Sequence, residues 1–308
     1  MTESAHDDIP RWMMRGDRDE PFVITLCANE AVDNALQQLS GMLGDLQIDA
    51  QQTHSSQAGN VTVFCKPAQA WSLLQSLREN LAHTDVYIQP RSELGKRLLI
   101  CDMDMTIVAA ETLDEVATIL GLGERIASIT TRAMHGEIDF NAALRERIAM
   151  LAGQSVQVFH DIAQSLSFNP GAEQLLAAAK AAGVHTILIS GGFSQVAEPV
   201  AQKLGFDEVH CSQLELDGEI LTGGLLDPIV NADYKCRILQ QRAQALGFAL
   251  RDCCAIGDGA NDLPMLSAAG LGIAYHAKPV LRAAISCHID VTDLESAIYF
   301  MGLNHASD

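Results

Sequence analysis

Three short polar segments of this sequence carry side chains that could do chemistry, and each directly follows a run of apolar residues. They are DMDMT (residues 102–106) after LLIC, SGGF (190–193) after TILI, and DGAND (258–262) after CCAIG. Ligands of open parallel sheets bind beyond the carboxyl ends of the strands. We therefore expect the three segments to meet at one sheet edge and to place several carboxylates beside a hydroxyl.

Carboxylates that converge on one point repel each other unless a cation lies among them. The candidate ligands Asp102, Asp104, Asp258 and Asp262 offer oxygen alone, without His or Cys, which favours Mg²⁺. An EF-hand calcium loop is excluded, because Ile107 stands where that loop requires Gly. Magnesium keeps bound waters and binds phosphate, so the pattern predicts phosphoryl chemistry.

Phosphate oxygens would need further donors, and two places in the sequence offer them. Ser190 and Gly191 supply a hydroxyl and a backbone N–H between a predicted strand and a predicted helix. Lys235, in the helical pattern YKCRILQQ, is a candidate counter-charge. The sequence leaves ordinary alternatives open, namely a tight turn at the glycines and a solvated lysine.

An arginine lies inside an apolar helical stripe. Phe140, Leu144, Ile148 and Leu151 recur at helical spacing, and Arg147 falls among them. A guanidinium on an apolar face is costly unless it meets an anion. A substrate or a structural carboxylate would both satisfy it.

The whole chain has the composition of a globular protein. Its 308 residues, at roughly 150 per domain, favour two domains. A formal net charge of -19 repels nucleic acid and anionic membranes, so neither is expected as a partner. An anionic substrate would then need a metal or a few cations to reverse the field locally.

The cysteines and the chain start indicate the compartment. Eight cysteines without a CxxC pair predict reduced core thiols, with neither a zinc site nor a disulfide framework. No apolar stretch is long enough to span a membrane, and residues 1–20 lack the apolar core of a signal peptide. We expect a cytoplasmic protein in which residues 1–20 form a loose tail.

Residues 21–90 follow a βαββαβ order, which predicts a ferredoxin-like α+β domain. The apolar patterns place two helices, around Leu36 and around Leu74, and a turn at residues 57–60. The predicted strands are residues 22–28, 46–54, 59–66 and 85–89.

Residues 91–308 change pattern and predict an α/β domain with a parallel sheet. Unalternating apolar runs, typical of strands buried on both faces, occur at residues 98–102, 184–190, 253–258 and 270–275. The helical tract at about 111–183 is too long for a simple crossover and is interpreted as an inserted cap. Residues 212–226 predict a hairpin that turns at Asp217-Gly218.

DMDMT, SGGF, Lys235 and GDGANDLPML, in that order, resemble the four motifs of the haloacid dehalogenase superfamily. Within it, ETLDEVA, HGEIDFNAALRERIAML and LELDGEILTGGLLDPIV are most similar to the phosphoserine phosphatases. The resemblance spans about residues 98–290 and implies a Rossmannoid parallel sheet with a helical cap. The first domain resembles, less closely, the ACT-like amino-acid-binding domains of longer members.

The resemblance implies a phosphomonoesterase that hydrolyses O-phosphoserine through an aspartyl-phosphate, as the last step of serine biosynthesis. Asp102 would be the nucleophile, and Asp104 would act as general acid and then general base. Mg²⁺ would be held by the Asp102 carboxylate, the Asp104 backbone carbonyl and Asp258, with Asp262 as a ligand or its partner.

The resemblance also assigns the substrate contacts. Ser190, Gly191 and Lys235 would hold the phosphoryl oxygens, and Asn261 would touch the substrate. Glu111 would take the substrate ammonium and Arg147 its carboxylate. Met105, between the second acid Asp104 and Thr106, stands where the family usually has Ser, a departure that bears on the local loop geometry.

The sequence leaves other interpretations of the function, and other binding partners, open. A phosphatase of the same superfamily could act on another small phosphorylated metabolite. A phospho-accepting signalling domain, or an amino-acid sensor with an inert catalytic part, are readings from other classes. A homodimer and an amino-acid effector bound to the first domain are the further partners that the sequence leaves open.

Overall fold

The computed structural model describes residues 21–29, 32–45, 50–54 and 58–303, so the predicted tail at residues 1–20 lies outside it. The N-terminal domain is a four-stranded antiparallel sheet in the order β2-β3-β1-β4, with two helices packed on one face. This confirms the predicted ferredoxin-like arrangement. Its elements are β1 (Phe22–Ala28), α1 (Asp33–Asp45), β2 (Ala50–His54), β3 (Ala58–Val63), α2 (Pro67–Asn80) and β4 (Thr84–Pro90).

The predicted turn at residues 57–60 is wrong where the structure describes it. Ala58, Gly59 and Asn60 lie in β3, paired with β1. A Cβ on Gly59 would lie 2.7 Å from a methyl carbon of Leu36 in α1. The glycine therefore serves the close approach of helix to strand, a use that local turn statistics do not distinguish.

The second domain is built on a seven-stranded sheet in the order β11-β10-β9-β5-β6-β7-β8, parallel except for β8. Its central strand β5 is buried on both faces, as the unalternating run LLICD predicts. The strands are β5 (Leu98–Asp102), β6 (His185–Phe193), β7 (Glu208–Asp217), β8 (Ile220–Leu226), β9 (Cys253–Gly257), β10 (Leu271–Tyr275) and β11 (Cys287–Ile289). The hairpin of β7 and β8 turns at Asp217-Gly218, as predicted.

The helical tract at 111–183 has two parts. Its last helix, α7, packs against β6 and is the crossover helix of the sheet. The four earlier helices pack on one another, on β8 and on the helix after β6, and they form the insert. The tract contains α3 (Thr112–Ile119), α4 (Gly123–Met134), α5 (Phe140–Ala149), α6 (Gln157–Ser165) and α7 (Ala172–Ala181).

The remaining helices cover the sheet faces and its far edge. The last helix, Ser296–Met301, packs against β1 of the N-terminal domain. None of the helices in the described ranges is long and apolar enough to cross a membrane. The remaining helices are α8 (Ser194–Leu204), α9 (Ala232–Ala245), α10 (Leu263–Ala268), α11 (Pro279–Ala284) and α12 (Ser296–Met301).

The two domains share a continuous interface. The open face of the N-terminal sheet packs on α12, where the Tyr87 and Phe300 rings meet edge to face at 6.0 Å. The Gln89 side chain donates a 2.7 Å hydrogen bond to the Phe300 carbonyl. The buried Asp85 carboxylate accepts hydrogen bonds from the backbone N–H groups of Asp290 at 2.9 Å and Thr292 at 2.8 Å.

Candidate active site

The carboxyl ends of β5, β6 and β9 meet at a pocket of about 110 Å³ that the insert covers. Of the residues predicted from sequence, the core places Asp102, Asp104, Gly191, Asp258 and Asn261 on its wall. The insert adds Glu111 and Arg147, and Phe140 and Leu144 of α5 complete the apolar side. Three further predicted residues, Ser190, Lys235 and Asp262, are fully buried just behind this wall.

Lys235 is placed by α9 between two carboxylates. Its Nζ lies 2.5 Å from Asp102 Oδ1 and 2.7 Å from Asp262 Oδ1. Burial by itself lowers the pKa of Lys235, but the Asp102 and Asp262 carboxylates outweigh it and raise the pKa. The lysine is thus a buried ammonium ion, and the alternative of a solvated lysine does not hold.

Asp104 is held in one orientation by two donors. Its Oδ1 accepts from the Thr112 backbone N–H at 2.9 Å, and its Oδ2 accepts from the Ser190 hydroxyl at 3.0 Å. Burial raises the pKa of Asp104, and the bonds from Thr112 and Ser190 offset only part of this. A carboxyl group in this setting is suited to carry and release a proton.

The SGGF segment is the end of β6 with a bulge, rather than a tight turn. The pairing of β6 with β7 shifts register between Ser190 and Phe193. The Ser190 hydroxyl accepts from the Gly192 N–H at 2.8 Å and donates to Asp104. A Cβ on Gly192 would lie 3.3 Å from Asp104 Oδ2, so this glycine keeps the second acid accessible.

Three carboxylates form a cluster that fits a divalent metal. Asp102, Asp258 and Asp262 each offer an oxygen, and these oxygens all lie within 4.8 Å of one another. Oxygen-only ligation in a buried setting fits Mg²⁺. Asp262 is fixed by the Gly259 N–H at 3.2 Å, and a Cβ on Gly257 would lie 2.5 Å from the Asp262 carboxyl carbon. Gly257 therefore allows the end of β9 to pack against this acid.

Met105 adopts a backbone conformation that is unusual for its type. Its φ of 55° lies in the left-handed region, which L residues other than Asn, Asp and His seldom enter. The side chain is 40% exposed and does not line the pocket. The substitution for the family's usual Ser thus lies in the loop directly after Asp104, outside the pocket wall.

Arg147 lines the pocket, and it has no counter-ion among the residues that the structure describes. It is half-buried, and its Nε is buried with no hydrogen-bond partner. Burial lowers the pKa of Arg147, while Asp114 and Glu111 act in the opposite direction without forming an ion pair. Within the described ranges, no carboxylate supplies the structural salt bridge that the sequence left open.

Lys278 is a site residue that the sequence analysis missed. Its Nζ lies 3.3 Å from Glu111 Oε1 of the insert and 3.3 Å from Asp258 Oδ2 of the core. Burial by itself lowers the pKa of Lys278, but the Asp258 and Glu111 carboxylates outweigh it, so the pKa is raised. Lys278 follows the carboxyl end of β10, so the rule that identified the other segments would have found it there.

Known proteins resemble this chain over its catalytic part and beyond. The model of the haloacid dehalogenase-like hydrolase family matches residues 99–267. A phosphoserine phosphatase of Lactococcus lactis subsp. lactis is 39% identical over 207 residues, which cover 67% of this chain and 96% of that protein.

Solved structures show the same architecture. A HAD family hydrolase from Salmonella enterica serovar Typhi superposes with a TM-score of 0.82 at 31% identity, covering 91% of this chain and 98% of that one. A structure described as a phospho-aspartyl intermediate analogue of phosphoserine phosphatase gives a TM-score of 0.63 at 32% identity, covering 67% and 99%. The chain belongs to the haloacid dehalogenase-like hydrolase family.

Proposed function

We propose that this enzyme is a Mg²⁺-dependent phosphoserine phosphatase that works through an aspartyl-phosphate. One observation carries the proposal: a small pocket is lined by the buried aspartates Asp102 and Asp258 and by Arg147, whose buried Nε has no hydrogen-bond partner among the described residues. The aspartates suit phosphoryl transfer, and the arginine suits a substrate that also bears a carboxylate. The names of the Lactococcus lactis relative and of the intermediate-analogue structure support the same activity.

Asp102 is the nucleophile in this proposal. Its carboxylate ends the central strand β5, and the Lys235 ammonium at 2.5 Å holds it in position. Asp102 and Asp258, with the Asp104 backbone carbonyl, would hold Mg²⁺, and Asp262 would be a further ligand or a partner of one. When bound, the metal neutralises charge on the phosphoryl oxygens.

Asp104 moves the proton. Expulsion of serine as an alcohol requires a proton on its oxygen, and a carboxyl group with a raised pKa can supply it. The same carboxylate then takes a proton from the water that hydrolyses the aspartyl-phosphate. The Thr112 N–H keeps it oriented through both steps, and the Ser190 hydroxyl, which has a single O–H, orients it until that O–H turns to a phosphoryl oxygen.

The phosphoryl oxygens meet donors on the core side of the pocket. The Gly191 backbone, the Ser190 hydroxyl and the Lys235 ammonium are the proposed contacts, and Asn261 lines the pocket near them. Lys235 has three N–H donors, and two of them point to Asp102 and Asp262.

The insert supplies substrate recognition. Arg147 would bind the substrate carboxylate through charge-assisted hydrogen bonds. Glu111 would bind the ammonium, in exchange for its contact with Lys278. That contact joins side chains that are 49% and 60% exposed, and exposed ion pairs contribute little free energy, so the exchange costs little.

Phosphate release from a substrate panel tests the proposal. L-Phosphoserine, phosphothreonine, phosphoethanolamine and an aryl phosphate would each be assayed with Mg²⁺ and with EDTA. We expect metal-dependent release with a strong preference for phosphoserine. Activity on the aryl phosphate alone would favour a phosphatase for another small metabolite, and no release at all would overturn the activity.

Replacement of the nucleophile tests the mechanism separately. Asp102→Asn removes the attacking oxygen while it keeps the side-chain shape, so turnover should be abolished and the fold retained. Retained turnover with the variant would refute Asp102 as nucleophile.

Three expectations from the sequence stay predictions. A homodimer is checked by light scattering, and an amino-acid effector of the N-terminal domain by kinetics with added serine. The cytoplasmic location would be checked by cell fractionation.

A further inference from the structure

A groove between the two domains lies apart from the proposed active site. It encloses about 580 Å³ between α2 of the N-terminal domain and the segment of α11 and β11 in the second domain. A smaller pocket of about 130 Å³ adjoins it. Both cavities share Arg78, Arg282 and His288, so these side chains lie where the two cavities meet.

Arg78 is a cation with unused donors at this junction. It is half-buried near the end of α2, and it donates a hydrogen bond across the interface to the Ser286 carbonyl. Burial of this guanidinium lowers the pKa of Arg78. Within the described residues it forms no ion pair. A guanidinium has five N–H donors, so most of them remain for a ligand.

Two arginines, one histidine and the carboxylates of Asp85 and Asp290 surround the junction. Arg282 lies 3.0 Å from Asp290 Oδ2, and His288 Nδ1 lies 3.9 Å from the same oxygen. Burial and then Arg78 lower the pKa of His288, which favours its neutral form. Asp290 pairs with Arg282, and Asp85 accepts hydrogen bonds from the backbone of residues 290–292, so within the described residues neither carboxylate pairs with Arg78.

We propose that this interdomain groove binds a small organic oxyanion, a carboxylate or a phosphate, through Arg78 and Arg282. Planar bidentate pairing with such anions is the contact that guanidinium groups favour. Apolar groups of Trp71 and Ile285 on the groove wall accommodate the body of the ligand. The inference does not depend on the identity of the phosphatase substrate.

The groove has a short structural connection to the active site. Arg282 lies on α11, and its backbone N–H donates to the Lys278 carbonyl at 3.1 Å. Lys278 directly precedes this helix and contacts both Glu111 and Asp258. An anion that draws Arg282 toward Arg78 therefore shifts the helix that positions Lys278.

Calorimetric titration of the full-length protein tests binding. Malonate and inorganic phosphate would be titrated separately in EDTA, which keeps metal-bound anions out of the active site. We expect binding of at least one probe, weakened at least tenfold in Arg78→Gln and in Arg282→Gln. The control Arg125→Gln removes an exposed arginine of the insert and should bind as the wild type does.

Two results would overturn the site. One is no binding of either probe, and the other is equal binding by the wild type and both groove variants. Binding that is lost in Arg147→Met but kept in the groove variants would assign the anion to the active site. Arg282 is 56% exposed, so Arg282→Gln keeps the test valid if Arg78→Gln fails to fold. The titration requires no turnover, so it stands even if the phosphoserine proposal fails.

Kinetics test the connection to the active site. The probe that binds the groove should change the KM for the best phosphate ester about fivefold, within the usual range of allosteric coupling. The change should vanish in Arg282→Gln. An equal KM with and without the probe, at a concentration that saturates the groove, would overturn the coupling.

Discussion

Arg145 and Arg147 lie on the same short helix, and their surroundings give them different roles. Arg145 is exposed and forms a 2.7 Å ion pair with Asp227, which directly follows β8. Arg147 is half-buried, and its Nε has no hydrogen-bond partner in the described part of the chain. An unpaired donor in a buried position is costly, so a ligand anion at Arg147 offsets a cost that Arg145 does not have.

Replacing Arg147 should weaken the binding of substrates that carry a carboxylate. Arg147→Met is expected to raise the KM for phosphoserine about 10- to 100-fold, since a charge-assisted hydrogen bond contributes about 1.5–3 kcal/mol. The KM for phosphoethanolamine, which has no carboxylate, should stay unchanged. Steady-state kinetics check this with Arg145→Met as the matched control. An equal effect on both substrates would make Arg147 a structural residue.

The proposed role of Asp104 as general acid predicts that the pH profile of kcat/KM depends on the leaving group. The raised pKa of Asp104 keeps its carboxyl protonated to higher pH than an ordinary aspartate. As pH rises through that pKa, the general acid is lost, so kcat/KM for phosphoserine should fall. An aryl phosphate leaves as a stable phenolate and needs no proton, so its kcat/KM should stay level over the same range. Parallel profiles for both substrates would remove Asp104 from this role.

At the scale of elements, the start of α7 depends on one glycine. Gly171 precedes the helix with a φ of 81°, and a Cβ there would lie 2.4 Å from the Glu295 backbone nitrogen. The segment before α12 thus packs directly on the start of α7. A side chain at this position would push the two apart.

Alanine substitutions at two glycines separate crowding from backbone strain. Gly171→Ala should lower the free energy of unfolding by about 2–5 kcal/mol, from left-handed strain of about 1–2 kcal/mol plus overpacking of about 1–3 kcal/mol. Gly183→Ala should cost only about 1–2 kcal/mol, since its φ of 69° is similar and no atom lies within 4 Å of its added Cβ. Urea denaturation measures both. Equal losses would show that crowding at Gly171 is relieved.

At the scale of the whole molecule, one carboxylate joins the domains. Asp85 of β4 is 4% exposed. Its oxygens accept from the backbone N–H groups of residues 290–292 and from the Thr292 hydroxyl at 2.5 Å. These residues directly follow β11, whose segment also forms one wall of the interdomain groove. Asp85 therefore fixes β4 of the N-terminal domain relative to the segment of the second domain that lines the groove.

Removal of Asp85 should destabilise the interface. Asp85→Ala leaves several buried donors without an acceptor, and we expect a loss of about 2–4 kcal/mol in the free energy of unfolding. Thermal unfolding with limited proteolysis between the domains is the measurement. Glu79→Ala, which removes an exposed carboxylate of the same domain, is the control. A stability equal to that of the control would mean that the apolar contacts alone hold the domains together.

The local pattern of the sequence was enough to locate most of the candidate site. Asp102, Asp104, Asp258 and Asn261 were predicted because each follows an apolar strand, and parallel strands bring their carboxyl ends to one edge. The βαββαβ order likewise predicted the first sheet. Gly59 was misread as part of a turn, because its reason is a methyl group of Leu36 that is distant along the chain.

Side-chain partners were decided by the tertiary structure. The sequence determined the apolar periodicity, the polar segments at strand ends and the net charge, since these properties are local or additive. Three features depend on the folded chain. They are the buried Nε of Arg147 without a hydrogen-bond partner in the described residues, the ion pair of Lys278 with Glu111, and the hydrogen bonds from residues 290–292 to Asp85. These pairs are separated by up to 207 residues, and hydrogen bonds and ion pairs form only at short distances, which packing alone sets.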